Sequence, residues 1–299
     1  MEYHYLHIGF SKCASTWLQS YFKNIPNVYY REKTGFFNFN NKEKELTQSY
    51  GSFFENSSAE SIKIESDEHI ILPDYHPILK SHGTTLKNVD KVIAKIKNSL
   101  PNGKIILVIR NQYDLIISRY SQYIVGGGSL KFTDFVKEML YCSYDGFNYY
   151  QNYYAQIINK LFNESGRENV LVILQEQLHS ELLETKSALD KFLGVNTSAS
   201  EYDERNLYNQ RKGLSLLGLK TLRVFNKIFV LQKASIHSVK KTIIPEFIYT
   251  NLIVRGIRFF DYYLPSKKSK SKKYLFEEEL LNELKELFSS DNEKLSELI

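Results

Sequence analysis

Short apolar runs alternate with longer amphipathic stretches along the first two thirds of the chain. The apolar runs predict strands at residues 3–9, 104–110 and 170–174, and a further strand within 61–72 that ends near Ser66. Helical spacing predicts helices at residues 15–24, 86–99, 111–124, 131–141, 147–165 and 180–193. The continuous apolar run at 104–110 is typical of a strand buried on both faces of a parallel sheet. The alternation of strands and helices therefore predicts an α/β fold with a mainly parallel sheet.

The last third of the chain has a different pattern. Residues 214–264 look helical and carry Leu, Ile, Val and Phe among Lys and Arg, and a polar basic stretch follows at 267–273. Residues 275–298 predict an amphipathic helix pair. No domain boundary is evident before about residue 205, so we expect a single domain over residues 1–299. The segment 214–273 is interpreted as a helical part that packs on the core, with acceptor binding or docking on a membrane surface as the alternative.

Composition limits the function classes. The 299 residues are 42% apolar and 24% charged, which is enough for a sizeable core. A net charge of +5 suits an anionic ligand without implying nucleic acid, and we expect no nucleic-acid partner. The two cysteines, Cys13 and Cys142, cannot form a disulfide framework, and no secretory signal or apolar run of about 20 residues is present. These features predict a cytoplasmic protein.

The segment GFSKCASTW follows the first apolar run directly and predicts a strand-to-helix turn. Backbone N–H groups and the helix dipole favour phosphate at such a turn. Lys12 adds a cation there, and Ser15 or Thr16 is expected to cap the helix. The turn is not a Walker A loop, because Ala14 stands where the second glycine is required and Ser15 stands where the lysine is required. An ordinary turn with a solvated lysine remains the alternative.

A second motif, IILVIRNQYDLIISRY, begins at residue 105. Arg110 closes the buried strand, and Asn111, Asp114 and Ser118 follow on a predicted helix. Arginine is suited to a terminal phosphate because its guanidinium binds two oxygens at once. The alternatives are a structural ion pair between Arg110 and Asp114, and a helix-packing role for Ser118.

Together the two motifs resemble those of sulfotransferases that use 3′-phosphoadenosine 5′-phosphosulfate (PAPS), in particular bacterial enzymes that modify carbohydrates. GFSKCASTWLQ is similar to their 5′-phosphosulfate loop, with Ser11 for the usual Pro and Ala14 for the usual Gly. Ala14 fits that loop on the condition that its φ angle is negative. IRNQYDLIIS is similar to their 3′-phosphate site, with Gln112 for the usual Pro. Residues 166–178, the tripeptide RKG at 211–213 and the closing helix also resemble the family, whereas 214–265 match nothing specific.

The resemblance implies a P-loop-like three-layer α/β fold with a central, mainly parallel sheet and a helical C-terminal part. It implies PAPS as co-substrate and no metal. The implied cofactor contacts are Lys12, Cys13, Ala14, Ser15, Thr16, Trp17, Arg110, Ser118, Arg211, Lys212 and Gly213. Lys12 would also act in catalysis by neutralising the bridging oxygen of the leaving phosphate. Glu68 is the first candidate for the general base, and His69 and His82 are its rivals.

The sequence thus predicts a sulfotransferase whose acceptor is a hydroxyl or amine of a glycan or glycolipid. The protein would act in the cytoplasm, with peripheral contact to the inner membrane face as an open alternative, and its oligomeric state is open as well. Two other functions stay under consideration. One is a P-loop kinase or nucleotide hydrolase that uses ATP, and the other is a non-catalytic nucleotide-binding relative.

Overall fold

The computed structural model describes residues 4–10, 12–32, 62–66, 102–141, 153–197, 213–231, 241–263 and 275–299, with several positions between 90 and 100. The predicted strand residues 69–72 and the basic stretch 267–273 lie outside these ranges. The described positions from 90 to 98 are helical, and Ile93 and Ile96 are buried there as the predicted spacing required.

A five-stranded sheet forms the centre of the molecule. Its strands are β1 (His4–Gly9), β2 (Val28–Glu32), β3 (Ile62–Ser66), β4 (Lys104–Ile109) and β5 (Val170–Leu174). They are ordered β2-β3-β1-β4-β5, and every neighbouring pair is parallel. The predicted parallel sheet is confirmed. Strand β2, with the sequence VYYRE, was not predicted.

Helices occupy most of the remaining described chain. They are α1 (Ser15–Lys23), α2 (Gln112–Val125), α3 (Phe132–Tyr141), α4 (Tyr154–Ser165), α5 (Gln177–Ser180), α6 (Leu182–Leu193), α7 (Leu216–Phe229), α8 (Glu246–Ile248), α9 (Arg255–Tyr263) and α10 (Glu278–Leu298). A 3₁₀ turn covers Arg167–Asn169, and a π-helical segment, Tyr249–Val254, joins α8 to α9. The short strands β6 (Val230–Leu231) and β7 (Lys241–Thr242) pair antiparallel inside the segment predicted to be helical.

Helices cover both faces of the sheet. On one face, the Tyr5 hydroxyl donates to the Leu193 carbonyl oxygen at 3.0 Å, and the rings of His7 and Phe22 lie 5.8 Å apart. These contacts fix α6 and α1 on that face. The connection from β4 to β5 runs in the opposite direction along the sheet, so the right-handed rule for such crossovers puts α4 on the other face. The predicted three-layer α/β arrangement is confirmed.

The closing segment is one helix, α10, so the predicted helix pair is wrong. The helix runs through the polar stretch SSDN at 289–292, and two residues of this stretch have partners elsewhere in the fold. Asp291 is buried, and its Oδ2 accepts a hydrogen bond from the Ala155 amide at 3.1 Å. The Gln112 side-chain amide donates to Asn292 Oδ1. These bonds stabilise the helix through a stretch that has weak helix propensity of its own.

A second apolar cluster joins the C-terminal helices to the rest of the fold. Leu219 and Leu222 of α7 pack with Ile124 of α2 and Phe288 of α10. The buried Asn226 side-chain amide donates to two carbonyl oxygens, that of Ile124 at 2.7 Å and that of Gly128 at 2.6 Å. The C-terminal part is therefore helical and packs on the core.

A buried histidine joins two strands of the sheet near their carboxyl ends. Nδ1 of His7 lies 2.7 Å from the Ser66 hydroxyl, which links the carboxyl ends of β1 and β3. Burial lowers the pKa of His7 from 6.5 to about 4, so the ring is neutral at physiological pH.

This burial predicts a pH-dependent stability. As the pH falls, the unfolded chain binds a proton at His7 before the folded chain does. The neutral buried ring therefore contributes its full share of the unfolding free energy above about pH 6.5, and this share is lost toward pH 4. Between about pH 7 and pH 5 we expect the wild type to lose about 2 kcal/mol more unfolding free energy than His7→Asn. Urea denaturation of both proteins at the two pH values measures the difference. Equal losses would show that His7 is accessible to protons in the folded state.

Candidate active site

The strand order creates a crevice between β1 and β4. The chain leaves β1 toward β2 on one side of the sheet and leaves β4 toward β5 on the other. Ligands of open α/β sheets bind at such a switch point, outside the carboxyl ends of the strands. Gly9 pairs with Val108, so the segments that follow β1 and β4 leave the sheet side by side. A Cβ at Gly9 would lie 3.2 Å from the Val108 carbonyl oxygen, which favours glycine at this position.

The loop after β1 has an unusual backbone. Lys12 and Ala14 have φ angles of 73° and 55°, both in the left-handed region that L-residues rarely adopt. The condition set for Ala14, a negative φ angle, is not met: alanine here takes the conformation for which glycine is usual. The expected cap by Ser15 or Thr16 is wrong as well, because the N-cap of α1 is Ala14, which makes no side-chain cap bond.

This geometry exposes the start of α1 to the crevice. The amides of Trp17 and Leu18 bond back to the Ala14 carbonyl oxygen at 3.0 and 3.2 Å. The first amides of a helix lack carbonyl partners within the helix, and a left-handed turn before them forms a concavity that binds anions. The Lys12 side chain is exposed beside this turn, and Thr16 is exposed as well. The loop is thus built to receive an anionic group.

Two predicted loop contacts are held in the core. Cys13 and Trp17 are only 1% and 2% exposed. The Trp17 ring stacks on Tyr21 with centroids 5.4 Å apart, and the Cys13 amide donates to the Phe10 carbonyl oxygen at 3.2 Å. These side chains anchor the loop to the protein interior. Their role in cofactor binding stays a prediction.

The second motif meets the first at the crevice. Nη1 of Arg110 donates a hydrogen bond to the Lys12 carbonyl oxygen at 3.1 Å, across 98 residues of sequence. Arg110 is half-buried at the end of β4. Ser118 is half-buried on α2, about two helical turns further on. The structure therefore brings the two predicted anchor residues, Lys12 and Arg110, to one place.

A glutamate outside both motifs supports the Arg110 segment. Glu176 Oε1 accepts a hydrogen bond from the Asn111 amide at 2.9 Å. The Asn111 side chain in turn accepts from the Tyr113 amide at 3.1 Å and the Asp114 amide at 3.3 Å, which caps α2. Glu176 belongs to the family-like stretch after β5, so a sequence signal existed, but its contact was not predicted.

A buried tyrosine underlies both loops and carried no sequence signal. The Tyr154 ring lies 5.0 Å from that of Phe10. Burial raises the pKa of the Tyr154 hydroxyl well above its usual value; the Cys13 thiol adds to this shift and Arg119 opposes it. The hydroxyl is therefore neutral at physiological pH and serves as an uncharged support under the crevice.

Of the remaining predicted site residues, the structure describes only Gly213. Gly213 is exposed just before α7. Arg211, Lys212, Glu68, His69 and His82 lie outside the described residues. The segment that contains Glu68, His69 and His82 follows Ser66, which ends β3 and is buried against His7. A carboxylate not singled out from the sequence, Glu65, is buried next to Ser66, with Arg31 at 4.0 Å.

The described ranges contain no group of three or more His, Cys, Asp and Glu side chains placed to hold a metal ion. None of their helices combines the length and the apolar character needed to cross a bilayer.

Comparison with known proteins identifies relatives. The sequence model of the Sulfotransferase domain family matches residues 3–244. A sulfotransferase from Alicyclobacillus acidocaldarius is similar in structure, with a TM-score of 0.51 and 18% identity over 76% of this chain and 94% of that chain. Mouse sulfotransferase SULT7A1 complexed with PAP gives a TM-score of 0.50 and 13% identity over 97% of this chain and 85% of that chain. A comparison with curated proteins finds no match. These structural likenesses support the P-loop-like fold predicted from the sequence.

The left-handed Ala14 predicts that a glycine there is stabilising. The left-handed conformation destabilises alanine by about 1–2 kcal/mol, a penalty that glycine does not have. Glycine in turn lowers the unfolding free energy by about 0.5–1 kcal/mol, because its unfolded state has more conformational entropy. We expect Ala14→Gly to raise the unfolding free energy by about 0.5–1 kcal/mol. Ala188→Gly, at an exposed position within α6, is the matched control and should lower it by about 1 kcal/mol. Equal destabilisation of both variants in urea denaturation would contradict the left-handed geometry.

Proposed function

The chain belongs to the sulfotransferase family, and we propose that it transfers a sulfuryl group from PAPS to a hydroxyl or amine of a glycan or glycolipid. The observation that carries the proposal is the hydrogen bond from Arg110 to the Lys12 carbonyl oxygen. It supports a single elongated site in which one molecule contacts both motifs. PAPS has phosphate groups at both ends of its ribose, which suits two anion-binding loops that meet at one crevice.

The described residues fit such a carrier. The left-handed turn and the start of α1 suit the 5′-phosphosulfate, with Lys12, Ser15 and Thr16 as donors. The Arg110 guanidinium suits the 3′-phosphate because it offers a fixed fork of donors, and Ser118 adds a hydroxyl. Arg211, Lys212 and Gly213 complete the proposed set on the adenosine side.

The chemistry needs charge stabilisation more than covalent participation. The acceptor oxygen or nitrogen forms a bond to sulfur while the bond from sulfur to the bridging phosphate oxygen breaks, and negative charge moves to the phosphate. Lys12 neutralises that charge or donates a proton to the bridging oxygen, and the loop amides stabilise the phosphate. Glu68 accepts the proton of the acceptor, with His69 and His82 as the alternatives.

The two rival functions are less well supported. A kinase or nucleotide hydrolase needs its lysine at the end of a glycine-rich loop, whereas Lys12 lies early in a loop that bonds to Arg110. A non-catalytic relative is disfavoured because Lys12, Arg110 and Ser118 of the two motifs are all retained. A carbohydrate acceptor is favoured because Glu68 follows β3, and bacterial sulfotransferases that modify glycans have a similar glutamate after the corresponding strand.

Nucleotide discrimination tests the cofactor directly. Calorimetry should give tighter binding of 3′-phosphoadenosine 5′-phosphate (PAP), the desulfated carrier, than of AMP or ATP. Arg110→Ala should weaken PAP binding about 10–100-fold more than it weakens AMP binding, because only PAP carries the 3′-phosphate, while loss of the bond to the Lys12 loop affects both nucleotides. Arg167→Ala, at an exposed arginine of the 3₁₀ turn, is the control. Equal affinity of the unmutated protein for all three nucleotides would refute the assignment.

Transfer of radiolabelled sulfur tests the reaction and the acceptor. We expect label from PAPS to reach an oligosaccharide or a glycolipid, and not a simple phenol or a steroid alcohol. Lys12→Ala and Glu68→Gln should each lower kcat by about 10²–10⁴-fold. Glu68→Gln should leave PAP affinity unchanged, since the base contacts the acceptor. A full rate in Glu68→Gln would move the role of base to His69 or His82, and labelling of the phenol or steroid alone would refute the glycan acceptor.

A further inference from the structure

Exposed apolar side chains are concentrated in one part of the described chain. Thirteen large apolar side chains are exposed among all the described residues, and eleven of the thirteen lie between residues 217 and 263. Three of these, Phe247, Leu252 and Phe260, are 75%, 67% and 66% exposed. Single exposed apolar residues are common on protein surfaces, but a cluster of this density marks an interaction surface.

The cluster forms one surface because the two helices that carry it lie side by side. Helix α7 buries Leu222 toward α2 and exposes Leu217, Val224 and Ile228 on its opposite side. Helix α9 exposes Phe259, Phe260 and Tyr263. A groove of about 460 Å³ runs between them, lined by Leu217 and Phe225 from α7 and by Leu252 and Phe260 from the other side. We call this surface, made by the exposed residues of α7, of the segment 246–254 and of α9, the α7–α9 face.

The α7–α9 face is also basic. The described segments 213–231 and 241–263 contain six Lys or Arg and only two acidic residues. Lys220, Lys227, Arg255 and Arg258 are exposed. One of the two acidic residues, Asp261, is bonded within the protein: its Oδ2 accepts from the Ser215 amide at 2.6 Å, and its Oδ1 accepts from the Ser215 hydroxyl. Positive charge therefore surrounds the apolar side chains with little compensation.

We propose that the α7–α9 face docks on the surface of an anionic lipid bilayer. Amphipathic helices with aromatic and aliphatic residues on one face and Lys or Arg beside it lie in the interface between headgroups and acyl chains. Apolar burial and attraction to anionic headgroups add together at such a surface. A symmetric contact with a second copy is disfavoured, because a two-fold axis would bring the four exposed cations against an identical set.

Docking at this face would set the orientation of the sulfotransferase crevice. Asn226 of α7 is buried against the end of α2 through its bond to the Ile124 carbonyl oxygen. Helix α2 begins beside Arg110 and Asn111 at the crevice. The docking face and the crevice are thus connected by one helix, so the bilayer would lie at a fixed position relative to the site. This inference does not depend on the identity of the acceptor.

Vesicle co-sedimentation of the full chain tests the proposal. The probes are vesicles of phosphatidylcholine alone and vesicles in which phosphatidylglycerol replaces part of it, at low and at high salt. We expect binding to the anionic vesicles that weakens as salt is raised. Arg255→Glu with Arg258→Glu should weaken it by about fivefold or more per charge. Phe259→Asp with Phe260→Asp should weaken it by about tenfold or more.

Matched controls lie on exposed helix positions elsewhere. Leu183→Asp changes a leucine of α6 that is 60% exposed, as Phe259 is. Lys191→Glu with Lys285→Glu makes the same change in net charge on α6 and α10. Both controls should bind like the wild type. Equal binding to neutral and anionic vesicles, equal effects of controls and test variants, or no vesicle binding would each overturn the proposal. Sedimentation velocity that gives a dimer dissociated by the phenylalanine variants, without vesicle binding, would assign the face to a second copy instead.

Discussion

A single hydrogen bond, from the Arg110 guanidinium to the Lys12 carbonyl oxygen, joins the loop after β1 to the segment after β4. It forms because β1 and β4 are adjacent parallel strands whose connections diverge at the switch point of the sheet. The bond holds the Arg110 guanidinium beside the Lys12 loop at the crevice. The proposed two-phosphate site depends on this arrangement, since the two phosphates of one nucleotide must reach both loops at once.

Buried groups and one carboxylate support that arrangement from around the crevice. Burial keeps the Tyr154 hydroxyl protonated and the His7 ring neutral, so both act as uncharged supports at physiological pH. Glu176 fixes the Asn111 amide from outside. The strained Ala14 fits this setting, because left-handed residues persist where the surrounding structure holds them, and such residues cluster at functional sites.

The sequence predicted the sheet, most helices and the two loops, because each rests on local periodicity and on short motifs. It did not predict the features that depend on contacts distant in sequence. A helix pair was predicted for residues 275–298, whereas one helix runs through them, and Asp291 and Asn292 bond there to other elements. The φ angle of Ala14 could not be inferred from alanine's own preference. Tyr154 belongs to no motif, and its place under the loops follows from the packing of α4.

The most direct measurement is a crystal structure of the protein with PAP bound. The account predicts one nucleotide spanning the crevice, with its 5′-phosphate at the start of α1 beside Lys12 and its 3′-phosphate on the Arg110 guanidinium. A nucleotide bound with its 3′-phosphate in solvent, or bound away from the β1–β4 crevice, would contradict the account.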